Sequence, residues 1–211
     1  GLCAACEYNK KKTKEINWKE RQKKLRETLA KYRKNNHEYD CIVSGSGGKD
    51  SSTIAHILKY KYKMNPLTVT YCPVLHTDVG IKNLKNWINI GGFDNILFSP
   101  NGKITSTLTR EAFKNLLHPI QPFKFGIKSI AAKMAIKYNI KLVMFGESYA
   151  EYGSQELDNT ESPSYDKNWF INDNEVFLAG LPIKEIMRKY KWITKNDLSI
   201  YLPLTSKDLK N

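Results

Sequence analysis

The chain has 211 residues, 41% of them hydrophobic and 26% charged, with a net charge of +13. That length supports one sizeable core with appendages, and no run approaches the ~18 apolar residues that a membrane-spanning helix needs. Lysine accounts for 29 of the 34 basic residues, so the charge reads as drift over the whole surface; a phosphate-reading face would use Arg more, and a nucleic-acid partner is not expected.

The chain opens on Gly1-Leu2-Cys3 with no visible leader, as expected of a fragment or a processed chain. Four cysteines without secretory context predict a reducing, cytoplasmic location. Cys3-Ala4-Ala5-Cys6 is half of a four-cysteine zinc site, since Zn²⁺ takes four ligands and two C-x-x-C hairpins are a common way to supply them. Without a second pair, Cys3 and Cys6 are simple thiols. The dense basic run Lys10-Lys11-Lys12-Thr13-Lys14 reads as a solvated helix approach before it reads as a binding patch.

Residues 17–34 predict a helix. Asn17 is its cap, Glu20 completes a capping box, and Trp18, Leu25, Leu29 and Tyr32 form one stripe. From residue 39 the pattern alternates. Strands are predicted at 39–43, 67–71, 95–98 and 141–145, each a short apolar run of the kind covered on both faces. Helices are predicted between them at 50–62, 81–90, 103–117 and 126–138. This order predicts an α/β fold with a doubly wound parallel sheet. Ligands of such sheets bind at the carboxyl ends of the strands, so one rim is expected from loops 44–48, 72–80, 99–103 and 146–153. Beyond Gly153 the alternation stops; residues 154–175 read as a long polar loop, and 182–191 and 194–202 as short helices, the second capped by Thr194 with Asp197. The expected units are an N-terminal cysteine-bearing segment with its helix (1–37), the doubly wound α/β domain (38–153), and a C-terminal loop with short helices (154–211).

The most informative stretch is Ser46-Gly47-Gly48-Lys49-Asp50-Ser51, at the end of the first strand. A strand running into a glycine-rich turn and then a helix presents backbone N–H groups to a phosphate, and the helix N-terminus adds partial positive charge. Lys49 supplies a point charge. A Walker A loop needs G-x-x-x-x-G-K-[ST], but Val43 stands five before Gly48 and Asp50 follows Lys49. A dinucleotide fingerprint needs a third glycine where this chain has Asp50. Asp50 and Asp78 are candidates for Mg²⁺, which shares one or two carboxylates with nucleotide phosphates. Cys41 reads as core filler. Cys72 faces the rim, where core filler is favoured over a reactive role. His37, His56, His76 and His118 lack metal-ligand spacing.

Residues 46–51 match, residue for residue, the S-G-G-x-D-S loop of the ATP pyrophosphatases (PP-loop enzymes, the adenine nucleotide alpha hydrolase-like type). Nearly the whole chain resembles a narrower family, the N-acetyl sugar amidotransferases of bacterial surface-glycan synthesis, of the pseudaminic-acid acetamidino type. The resemblance is carried by Tyr39-Asp40-Cys41-Ile42-Val43 with the loop, by Ala55-His56-Ile57-Leu58-Lys59-Tyr60-Lys61-Tyr62 and Pro66-Leu67-Thr68-Val69-Thr70, and by Thr77-Asp78-Val79-Gly80 and Gly92-Phe93-Asp94-Asn95-Ile96-Leu97-Phe98. His118-Pro119, Gln121-Pro122-Phe123, Phe145-Gly146-Glu147 and Glu151-Tyr152-Gly153 continue it.

The resemblance implies that ATP is bound by Ser46, Gly47, Gly48, Lys49, Asp50 and Ser51, with Thr77, Asp78 and Gly146, and that Lys49 and Asp50 act in catalysis. It implies a substrate role for Glu147, Glu151 and Tyr152; from the residues alone, Glu147 and Glu151 address the substrate or are simply hydrated loop acids. The implied reaction adenylates the oxygen of a sugar N-acetyl group and replaces it with ammonia nitrogen supplied by a separate glutaminase subunit. It also implies an N-terminal four-cysteine zinc site, whose missing pair would precede Gly1, and further chain beyond Asn211. A PP-loop tRNA-modifying enzyme, a thiolase or lysidine-type ligase, is the runner-up, and its sulfur chemistry would fall to Cys72; a nucleotide-sensing module that binds ATP but releases no pyrophosphate is a third reading.

Overall fold

The computed structural model describes residues 1–34, 36–147 and 170–209. Four parallel strands form its sheet: β1 (Cys41–Ser44), β2 (Pro66–Tyr71), β3 (Asn95–Phe98) and β4 (Val143–Phe145), in the order β3-β2-β1-β4. Each expected strand is present within about two residues of its predicted bounds. Register is continuous, Ile42 pairing with Leu67 on one side and with Val143 on the other.

The alternation of side chains along β1 divides the core in two. Cys41 and Val43 face one way, with Leu29, Ala55, Leu58, Trp87 and Phe93. Ile42 faces the other, with Leu67, Val69, Leu108 and Ile130. The first layer holds α2 (Trp18–Tyr32), α3 (Lys49–His56) and α4 (Asp78–Asn89); the second holds α5 (Gly102–Leu116) and α6 (Gln121–Lys137). Helices on both faces of a parallel sheet define a doubly wound α/β arrangement. The chain leaves β1 toward β2 and β3, then returns past them to lay β4 on β1's other side. The strand order therefore reverses between β1 and β4, and the crevice at such a switch point is where these sheets take ligands.

Local chemistry accounts for the element ends. Asn17 accepts from the Glu20 N–H at 3.2 Å, so the cap is as expected, but the Glu20 carboxylate pairs with Lys24 at 2.8 Å and does not close a box. Thr194 and Asp197 do close one at the start of a short helix, Lys195–Leu198. α3 widens into a π turn at Ile57–Lys61. Asp40, 3% exposed, accepts from the backbone N–H groups of Lys34 and Asn65, joining the end of α2 to the entries of β1 and β2.

Two elements lie outside the sequence expectations. Ala4–Lys14 is a helix, α1, with no buried residue. A two-residue hairpin pairs Phe177–Leu178 with Leu181–Pro182 across Ala179-Gly180. The C-terminal residues Leu178, Ile186, Ile193, Leu198 and Tyr201 are buried in the same core as β1, β2, α5 and α6. Much of the expected 154–175 loop lies outside the described residues.

Candidate nucleotide-binding site

The 46–51 loop leaves the carboxyl end of β1 and enters α3 directly, with Gly48 as the helix N-cap. Three of the glycines around the turn, Gly47, Gly48 and Gly146, differ in what holds them. Gly47 has φ +83°, and a Cβ there would lie 2.8 Å from the Asn83 carbonyl oxygen, so both its conformation and the packing of α4 demand glycine. Gly146, at the end of β4, packs on the start of α3: its Cβ would lie 2.7 Å from the Ser51 nitrogen. Gly48 is the exception. Its φ is −66° and a Cβ would meet nothing within 4 Å. Nothing in the fold requires glycine there, whereas a ligand approaching the backbone closely would.

Lys49 and Asp50 occupy the first turn of α3. The Lys49 ammonium is 2.6 Å from the Asp50 carboxylate, with side chains 88% and 46% exposed. A pair this exposed holds little energy. Ser51 is buried and its hydroxyl donates to the Gly48 carbonyl at 3.2 Å, bracing the turn from inside. Beneath it lies Trp87, 3.1 Å from a Cβ built on Gly45. The buried Trp87 Nε1–H has no hydrogen-bond partner among the described residues.

Thr77 caps α4, accepting from the Gly80 N–H at 3.1 Å, and Asp78 follows in that helix's first turn. α4 packs on Gly47 through the Asn83 backbone, one and a half turns further along, so Thr77, Asp78 and the loop share one end of the sheet. Gly146 is part of the same assembly, and Glu147 is exposed beyond it. Glu151 and Tyr152 lie outside the described residues. A groove of about 500 Å³ runs between α3 and α4, lined by Gly47, Thr53, His56, Asn83, Trp87 and Phe93; it meets the loop at Gly47 only.

The rim also holds a pairing that spacing did not single out. Cys72 follows β2, and its Sγ is 3.3 Å from His76 Nε2. The signal available in the sequence was C-x-x-x-H within one rim loop. Cys41, at 0% exposure, has its thiol pushed up to about 12 by burial and then by the nearby Asp40 charge, in keeping with core filler. Cys3 and Cys6 are exposed at the start of α1. The Cys6 backbone N–H holds the Cys3 thiol below its ordinary value, and the hydrogen bond that the Cys6 thiol donates to the Cys3 sulfur raises that of Cys6. They offer two thiols to a metal; among the described residues no group of three or more ligating side chains converges. Also among the described residues, no helix is long and apolar enough to cross a membrane.

No family model matches the chain. It is similar to the uncharacterized protein MJ1599 of Methanocaldococcus jannaschii, 42% identical over 53 residues. That match covers 25% of this chain and 19% of the length of its relative, so the chain's likeness spans about a fifth of that protein.

Proposed function

We propose that the protein is an ATP pyrophosphatase-type amidotransferase, which adenylates the N-acetyl oxygen of a sugar and replaces that oxygen with nitrogen. The reading is carried by one observation: the 46–51 loop caps α3 at the sheet's switch point with a glycine, Gly48, whose Cβ position opens on empty space. An amide oxygen is a poor leaving group, and AMP is a good one. The N-acetyl oxygen attacks the α-phosphate of ATP, the bond to the bridging oxygen breaks, and pyrophosphate leaves. Ammonia then attacks the imidate carbon, AMP departs with the former amide oxygen, and an acetamidino group remains. The loop N–H groups and Lys49 stabilise the charge that develops on the departing pyrophosphate. Mg²⁺ shared with the phosphates would be held by Asp50, and by Asp78 where α4 begins, and would supply further charge neutralisation. Ammonia comes from a glutaminase partner, and the product belongs to surface-glycan synthesis, on flagellin or lipopolysaccharide. Glu147, exposed beyond Gly146, would address the sugar.

The Cys72–His76 contact at 3.3 Å favours a second reading, a PP-loop tRNA-modifying enzyme. It would share the adenylation step, with Cys72 as the rim cysteine that its sulfur chemistry needs. The two are separated by incubating the chain with ATP, Mg²⁺ and ammonium, and with either an N-acetylated nonulosonic acid or bulk tRNA. Sugar-dependent AMP release, with a product lighter by the difference between oxygen and NH, supports the first reading. AMP release stimulated by tRNA alone, and abolished by Cys72→Ala, replaces it with the second.

A further inference from the structure

The net charge is unevenly placed. The first 34 residues hold 12 of the 34 basic side chains and four of the 21 acids, so +8 of the +13 belongs to α1, α2 and their flanks. Three of the five arginines, Arg21, Arg26 and Arg33, lie in the same stretch. Surface drift describes residues 35–211, which carry the remaining +5; it does not describe this segment.

The periodicity of α2 shows how the charge is arranged. Leu25 and Leu29 put one edge of the helix on the core. Away from that edge, Lys19, Lys23 and Arg26 recur at i, i+4 and i+7 and form one exposed row, which Ala30 continues. The neighbouring row, Glu20, Lys24, Glu27 and Lys31, alternates in sign and is internally neutralised, with Glu20 and Lys24 2.8 Å apart. One row is thus balanced and the other is purely basic. On α1, the exposed Lys10 and Lys14 repeat the i, i+4 spacing. Trp18 joins the two helices: its indole N–H donates to the Lys12 carbonyl at 3.1 Å, while the side chain remains 54% exposed.

The type of polyanion follows from what accompanies the charge. A lipid surface selects helices with an apolar face to enter the headgroup region; α1 buries nothing and is strongly polar, and Leu25 and Leu29 of α2 are already packed on the core. A protein partner is gripped at a desolvated apolar centre, which this row lacks. A row of cations about 5 Å apart along a rod, with the half-exposed Trp18 indole at the N-terminal end of the same helix, suits a phosphate backbone with an unpaired base stacked on the ring. We propose that the α1–α2 surface binds RNA, with Lys19, Lys23 and Arg26 on the phosphates and Trp18 stacking on a base. This binding is independent of the reaction at the nucleotide loop.

The test is fluorescence anisotropy of labelled bulk tRNA with the full chain, without ATP or sugar, from about 50 to 200 mM salt. The expected result is binding that weakens with salt, each phosphate contact adding roughly 0.7 to 0.9 to the log–log slope. Reversing the row (Lys19→Glu, Lys23→Glu, Arg26→Glu) should weaken low-salt binding roughly tenfold or more and remove roughly 2 from that slope. The charge-matched reversal of exposed Lys137, Lys184 and Lys195 should leave the slope unchanged, and Trp18→Ala should weaken binding without changing it. The proposal is overturned by absence of tRNA binding, or by equal losses in the two triple variants. It is equally overturned if row-dependent binding goes to phosphatidylserine vesicles or polyglutamate and not to tRNA.

Discussion

Gly47 and Gly48 are neighbours with opposite requirements, and the difference separates folding from function. Gly47 is held at φ +83° against the backbone of α4; Gly47→Ala should cost about 1–3 kcal/mol of stability, read as a lower denaturant midpoint. Gly48 has an ordinary φ and open space around it. Gly48→Ala should change stability by less than about 1 kcal/mol and should still cut pyrophosphate release severely, because the new methyl group occupies the side from which the phosphates approach. A Gly48→Ala variant with the parent rate of pyrophosphate release would show that the open side is not the phosphate side. Lys49→Ala removes a side chain that is 88% exposed. Its thermal midpoint should match the parent's while pyrophosphate release disappears, and a retained rate would remove Lys49 from the mechanism.

The elements differ in how far the sequence announces them. The sheet strands do so because each is a short apolar run between turn residues, and both faces of a parallel sheet must be apolar. α1 does not, since a helix without a buried stripe leaves no periodicity to find. The hairpin at Ala179-Gly180 is silent for a different reason. Both turn residues have positive φ, a geometry for which Asn-Gly is the usual signature, and the position of Gly180 is set by Asn115 and Leu116 of α5. Nor does any local pattern show that the C-terminal helices close the α5–α6 face, which depends on pairs distant in sequence. Glu111 of α5, 1% exposed, accepts from Lys189 and from Tyr190, each at 2.6 Å. Burial pushes its carboxyl up, but these two hydrogen bonds, together with the Lys189 charge, outweigh that and hold it below the ordinary carboxylate value. A carboxyl lowered in the folded state stabilises above its unfolded value and loses that contribution as pH falls through the folded one. Between about pH 5 and pH 3 the parent should therefore lose more stability than Glu111→Gln; parallel pH–stability curves would show that the carboxylate is not coupled to the packing of α7 (Ile183–Lys189) on α5.

The site was legible where one segment makes it and illegible where the fold assembles it. Strand, glycine turn, lysine and helix are contiguous, so the 46–51 loop can be read directly, and the parallel sheet places it at the carboxyl rim. The seat of Gly47 on Asn83, that of Gly146 on Ser51, and the position of Trp87 beneath Gly45 arise from packing between elements that no spacing records. The Cys72–His76 contact is local, but its meaning depends on lying at the end of β2 beside the loop. The loop, Asn83 and Gly146 meet at the carboxyl end of the sheet, where β1 and β4 part; phosphate chemistry there is what the proposed function requires. The most direct measurement is the identity of the products formed from ATP by the full chain with Mg²⁺, ammonium and an N-acetylated nonulosonic acid. AMP and pyrophosphate in equal amounts are predicted, because the loop is expected to direct cleavage between the α and β phosphates; ADP with inorganic phosphate, or ATP recovered intact, would contradict it.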